Sequence, residues 1–196
     1  MNLRQILTAP NQLTLLRMIF LPFIVINLVK HDFKWALALF VLAGISDGLD
    51  GLLARTLHQQ TLLGQYLDPI ADKLLLSSIY IGLTLGHALP VWVFIVVLAR
   101  DLWILALSGV ALKFTKFREL KPSVWGKAST FIQIMTAVGI MAARAYQNEV
   151  FGVIAGWLVW GVVILAVISA GDYTARGIRF WLQDRRACAS DNGGVV

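Results

Sequence analysis

Residues 47–72 read Asp47-Gly48-Leu49-Asp50-Gly51-Leu52-Leu53-Ala54-Arg55, then eight residues, then Gly64-Gln65-Tyr66-Leu67-Asp68-Pro69-Ile70-Ala71-Asp72. Four aspartates stand in this stretch, the first pair three apart and the second pair four apart. On a helix, either spacing puts both members of a pair on one face. The flanking sequence is apolar on both sides, so these carboxylates interrupt hydrophobic segments. Ionisable groups in a membrane are costly, and a cluster of them marks a functional site. Two facing pairs of acids form an oxygen-rich site suited to hard divalent cations.

Working outward, the chain has 196 residues, of which 58% are hydrophobic and 14% charged. A soluble domain carries roughly 25% charged residues, so the composition predicts an all-α polytopic membrane protein. Six hydrophobic spans are expected at about 13–30, 35–55, 66–87, 90–112, 128–146 and 150–180, each near the roughly 20 residues that cross a bilayer. The connections are short and no repeat or soluble domain interrupts them, so a single domain over 1–196 is predicted. Residues 2–9 read as a short amphipathic segment on the membrane surface. Pro10-Asn11-Gln12-Leu13-Thr14 reads as a helix start. The single cysteine, Cys188, excludes an intrachain disulfide.

The net charge of +6 is unevenly distributed. Arg4, Arg55, Lys73, the run Lys113, Lys116, Arg118, Lys121, then Lys127, Arg179, Arg185 and Arg186 fall on one set of polar segments. Lys30, Lys34 and Arg144 fall on the other. The positive-inside rule places both termini in the cytoplasm. The aspartates then open to the same side. The start of the chain lacks a cleavage-type signal or a transit-peptide composition, which favours a bacterial inner (cytoplasmic) membrane. Nothing suggests nucleic-acid binding; the basic run is read as a loop attracted to anionic lipid.

Asp47-x-x-Asp50-Gly51-x-x-Ala54-Arg55, eight residues, Gly64-x-x-x-Asp68-x-x-x-Asp72 resembles, position for position, the signature of the CDP-alcohol phosphotransferase family. All eight defining residues are present over twenty-six positions. The PNQLTLLR opening, the LDPIADK segment and the six spans extend the resemblance over the chain. It implies transfer of a phosphatidyl group from CDP-diacylglycerol to an alcohol acceptor, with release of CMP. It implies two divalent cations, Mg²⁺ or Mn²⁺, held by Asp47, Asp50, Asp68 and Asp72, with Asp72 also the general base. Gly51, Ala54 and Gly64 would let the cytidine nucleotide lie against the helices, Arg55 would hold the diphosphate, and Asn11 and Thr14 would border the nucleotide. The family also implies a homodimer.

The chemistry is consistent with these residue types. Divalent cations neutralise a pyrophosphate and stabilise a leaving oxygen, a base must take the alcohol proton, and a guanidinium fork suits phosphate oxygens.

Other charges leave alternatives open. Arg100 and Asp101 lie midway along the fourth span. They form a structural ion pair, or Arg100 faces the acceptor and binds its phosphate, as the resemblance favours. Lys127 is a second acceptor-phosphate candidate or an ordinary cytoplasmic-end lysine. Lys73 faces the acceptor or the lipid head groups. Asp172 has no evident partner. His31, His58 and His87 show no metal-ligand spacing, and the tryptophans, including Trp92, Trp157, Trp160 and Trp181, look like interface anchors.

Gly126-Lys127 resembles the phosphatidylglycerophosphate synthase branch, whereas Arg100-Asp101, ALFVLAGISDGLDG and LKPS at 120–123 resemble the cardiolipin synthase branch. The reading leans to glycerol 3-phosphate as acceptor, with phosphatidylglycerol as the alternative. An ion or metal transporter is the competing class, and it requires acids reaching both membrane faces. A non-catalytic membrane anchor has no support in the sequence.

Overall fold

Each apolar run forms one helix. The computed structural model describes residues 9–56, 62–114 and 123–191, with side chains at 18–46, 73–107 and 123–179. Among them are six helices and no strand: α1 Ala9–Val29, α2 Phe33–Thr56, α3 Leu62–Leu85, α4 Val91–Phe114, α5 Val124–Tyr146 and α6 Glu149–Asp191. The expected amphipathic segment lies outside the described residues, apart from Ala9, which opens α1. That helix begins ahead of the expected 13–30 span because Pro10 falls in its first turn, where a missing N–H costs nothing. α6 runs 43 residues, well past the expected 180. A helix needs no apolar face to continue beyond the bilayer, so hydropathy alone stops short.

Val124–Tyr146 and Glu149–Arg179 are each long and apolar enough to cross a membrane; the described apolar parts Met18–Val29, Phe33–Ser46 and Lys73–Leu85 are shorter. Leu102, Leu105, Val153, Trp157 and Val167 are all more than half exposed. So much outward apolar surface is unfavourable in water and natural against lipid.

Three tight turns gather at one end of the bundle. His31, His87 and Gln147 follow α1, α3 and α5 with φ of 61°, 50° and 50°, the left-handed cap that closes a helix. Arg144 Nη2 donates to the His87 carbonyl at 3.2 Å, tying the end of α5 to the α3–α4 turn. α1 and α3 approach closely here. A Cβ on Gly86 would lie 2.5 Å from the Leu28 carbonyl oxygen, and one on Gly82 2.9 Å from Leu28 Cδ1. Small residues four apart permit such contact between membrane helices.

The core runs up from this end through Leu28, Phe40, Ile79, Leu83, Met141 and Val162. α5 and α6 form the most extensive pair, bridged by Thr136 Oγ1, whose one proton is shared between the Ile132 carbonyl on its own helix at 2.7 Å and the Leu158 carbonyl on α6 at 3.2 Å. With all three turns at one end, α2 and α4 finish, and α3 and α5 begin, at the opposite end.

Candidate active site

That opposite end carries the sequence motif. Asp47, Asp50, Gly51, Ala54 and Arg55 lie in the last turns of α2, and Gly64, Asp68 and Asp72 in the first turns of α3. Asn11 and Thr14 lie on the first turns of α1. All these side chains fall outside the described ones. Among the described residues, no group of three or more His, Cys, Asp or Glu is placed to hold a metal. The helix bounds nonetheless put both aspartate pairs, each at helical spacing, at one end of the bundle. Four carboxylates there match the oxygen preference of hard divalent cations.

Immediately below lies a charged cluster, beginning one residue after Asp72. Lys73 Nζ on α3 donates to Asp101 Oδ1 on α4 at 2.8 Å. Arg100 Nη1 donates to the same oxygen at 2.6 Å, and its Nη2 reaches Ser169 Oγ on α6 at 2.7 Å. Arg100 and Asp101 are the only buried charged residues among those described. A buried charge is tolerable only when paired and hydrogen-bonded, and this cluster meets that need with groups from three helices. Arg100 Nε is also buried and has no partner among the described residues. Thus the ion pair of Arg100 with Asp101 exists, Lys73 joins it, and one guanidinium nitrogen, Nε, has no partner among the described residues.

Helical register places the fifth helix beside this cluster. Tyr80 Oη donates to the Gln133 carbonyl at 3.1 Å. Lys73 and Gly126 each lie seven residues earlier on their own helices, about 10 Å nearer the aspartate end at 1.5 Å per residue. Gly126 and Lys127 therefore stand level with Lys73. The Lys127 side chain is exposed. Deeper on α5, Ser129 Oγ and both amide atoms of Gln133 are fully enclosed with no partner among the described residues.

Asp172 gains the partners that the sequence did not reveal. Ser123 Oγ, just ahead of α5, donates to Asp172 Oδ2, and Arg176 Nε one turn on pairs with the same oxygen at 3.0 Å. The Ser123 amide donates to Tyr173 Oη at 3.3 Å. A Cβ on Gly126 would lie 3.1 Å from that hydroxyl oxygen, so glycine lets α5 and α6 close here. Asp172 is thus a bracket between α6 and the start of α5. Trp103 Nε1 on α4 donates to Thr174 Oγ1 at 2.9 Å, extending it.

Beside the aspartate end, α2, α3 and α5 leave an apolar groove of about 340 Å³. Gly44, Ile45, Leu75, Leu76, Thr130 and Ile134 line it. A Cβ on Gly44 would meet nothing within 4 Å. The groove begins one turn from Asp47 and Asp72, so an apolar chain lying in it would place its polar end near the motif.

At the far end, Trp92 and Trp160 pack with ring centroids 5.9 Å apart, while Trp157 faces outward, as interface residues do. Trp181 and His58 lie outside the described side chains. His31 and His87 serve the turns.

The family model for CDP-alcohol phosphatidyltransferase matches residues 7–185. The chain is 34% identical over 181 residues to the cardiolipin synthase (CMP-forming) of Streptomyces coelicolor, covering 84% of this chain and 83% of that protein. It is 35% identical over 184 residues to a probable phosphatidylglycerophosphate synthase of Mycobacterium tuberculosis, covering 89% and 84%. Over 175 residues it is 29% identical to the CDP-diacylglycerol–glycerol-3-phosphate 3-phosphatidyltransferase of Aquifex aeolicus, covering 88% and 97%. With the motif complete and the match running nearly end to end, the chain belongs to the CDP-alcohol phosphatidyltransferase family.

Proposed function

We propose that this enzyme transfers a phosphatidyl group from CDP-diacylglycerol to a glycerol-based acceptor and releases CMP, with glycerol 3-phosphate as the first reading. The carrying observation is the position of Lys73. It follows Asp72 directly on α3 and pairs across to Asp101 beside Arg100, which joins the carboxylate end to a cationic cluster. The groove next to it suits the diacylglycerol of the donor.

In this reading Asp47, Asp50, Asp68 and Asp72 hold two divalent cations, Mg²⁺ or Mn²⁺. Bound there, the cations would supply charge neutralisation of the pyrophosphate and of the leaving CMP oxygen. Asp72 takes the proton of the acceptor hydroxyl, which then attacks the lipid-side phosphorus. Arg55 holds the diphosphate, and Gly51, Ala54 and Gly64 leave room for the nucleotide, with Asn11 and Thr14 at its border. Lys73, Arg100 and Lys127 bind the acceptor's phosphate.

We further propose one domain over 1–196 with six membrane spans, both termini and the active site in the cytoplasm of a bacterial cell, and a homodimer. The positive-inside distribution supports the orientation.

Phosphatidylglycerol is the second reading of the acceptor, and one observation favours it. Asp101 takes up part of the positive charge that a phosphate dianion requires. The transporter class loses ground, because between the Asp101 level and the far-end turns no described carboxylate is buried to form a path.

The test is CMP release by purified protein with CDP-diacylglycerol and Mg²⁺, run in parallel with glycerol 3-phosphate and phosphatidylglycerol. Asp72→Asn is expected to abolish release and leave the fold intact; activity retained in that variant defeats the mechanism. Metal flux in proteoliposomes without CDP-lipid would instead restore the transporter.

A further inference from the structure

We propose that Asp101 is an acceptor-specificity residue, acting by fixing the net charge of the subsite that receives the acceptor's phosphate. The inference rests on the reading that Lys73 and Arg100 face that phosphate. One oxygen, Asp101 Oδ1, accepts from Lys73 Nζ at 2.8 Å and from Arg100 Nη1 at 2.6 Å. Two cations against one carboxylate leave the cluster a single net positive charge.

The two cations differ in freedom. The Arg100 side chain is 5% exposed and further tied to Ser169, whereas that of Lys73 is 35% exposed. Arg100 Nε, buried and unpartnered among the described residues, keeps a donor for an oxygen arriving from outside. A phosphate entering here meets the Asp101 carboxylate as a rival for both cations. The Asp101 charge opposes a phosphomonoester dianion about twice as strongly as a phosphodiester monoanion, in a partly desolvated place where such repulsion is costly. This difference holds with Lys127 counted in the subsite as well. Asp101 therefore lowers the monoester-to-diester preference below what the same site would have without its charge, whichever acceptor the enzyme uses, and it does so by charge rather than by shape.

The charge can be stepped in both directions. Asp101→Asn keeps the size and an oxygen acceptor for both cations, and raises the subsite by one charge. Lys73→Gln lowers it by one. Asp101→Glu leaves it unchanged. With full-length enzyme, CDP-diacylglycerol and Mg²⁺, kcat/KM for CMP release is measured with glycerol 3-phosphate as monoester and phosphatidylglycerol as diester.

The expected monoester-to-diester ratio rises at least about tenfold in Asp101→Asn, falls by a similar factor in Lys73→Gln, and stays near wild type in Asp101→Glu, the size expected of one unit charge acting on another near a protein surface. A ratio that stays constant across the series overturns the proposal while leaving the enzymatic reading intact, and so do equal losses on both acceptors, the signature of a purely structural Asp101. Absence of CMP release by the wild type with either acceptor overturns both.

Discussion

Replacing Ser169 by alanine removes one oxygen from the enclosed centre of the bundle. That oxygen accepts the Arg100 Nη2 donor at 2.7 Å, and Ser169 is fully buried. Hydrogen bonds to charged groups contribute about 1.5–3 kcal/mol, while interhelical hydrogen bonds in membranes average nearer 0.6 kcal/mol and reach about 1.7 kcal/mol. Two facts favour the upper part of this range. Burial denies water to the freed Nη2, and Arg100 already carries an unpartnered Nε. We therefore expect a loss of about 1.5 kcal/mol, a Tm lower by roughly 3–6 °C for a chain of this length.

The assay is thermal unfolding of the purified protein in detergent. A double-mutant cycle with Arg100→Met isolates the pair, with an expected coupling near 1 kcal/mol. In kinetics the slackened guanidinium should raise KM for the acceptor several-fold and change kcat little. A melting shift under about 1 °C together with unchanged KM would show that Ser169 does not hold Arg100, and the three-helix account of the cluster would fail.

Gly86→Ala is expected to cost about 1–3 kcal/mol by driving a methyl to 2.5 Å from the Leu28 carbonyl oxygen, whereas Gly171→Ala, which meets nothing within 4 Å, should be neutral or slightly stabilising; paired melts check this. Gly44 lines the apolar groove and a Cβ there meets nothing within 4 Å, so Gly44→Phe should raise KM for CDP-diacylglycerol and leave the melting temperature within a degree or so of wild type. Chelation should abolish CMP release without changing the far-ultraviolet circular dichroism, and either Mg²⁺ or Mn²⁺ should restore it.

The helices were legible because each apolar run is bounded by polar residues and turns. Their ends were less so: Pro10 looks like a boundary yet sits inside the first turn of α1, and the charged half of α6 has no hydropathy signal. The aspartates stood out because two helical spacings fall close together in sequence. The partners of Arg100 and Asp172 could not be read in this way. Ser169 is 69 residues from Arg100, Ser123 is 49 from Asp172, and serine is too common to flag itself. Lys73 and Asp101 were each recognisable as charges in apolar runs, but their pairing depends on the antiparallel register of α3 and α4. Gln133 and Ser129 carry no charge and so drew no notice, although they are among the most enclosed polar side chains. Interior polarity of this kind is set by packing, which pattern alone does not encode.

The close approach of α1 and α3 has a mechanical consequence. At Gly86 the chain touches backbone against backbone, and such a point acts as a fulcrum. Asp72 lies fourteen residues back from this turn, along α3, a lever of about 21 Å. Tilting α3 by about 5° about that pivot would move its aspartate end by nearly 2 Å over this lever. The glycine end thus gives α3 an amplifying geometry, in which a slight rocking at one end of the bundle becomes a breathing motion at the other.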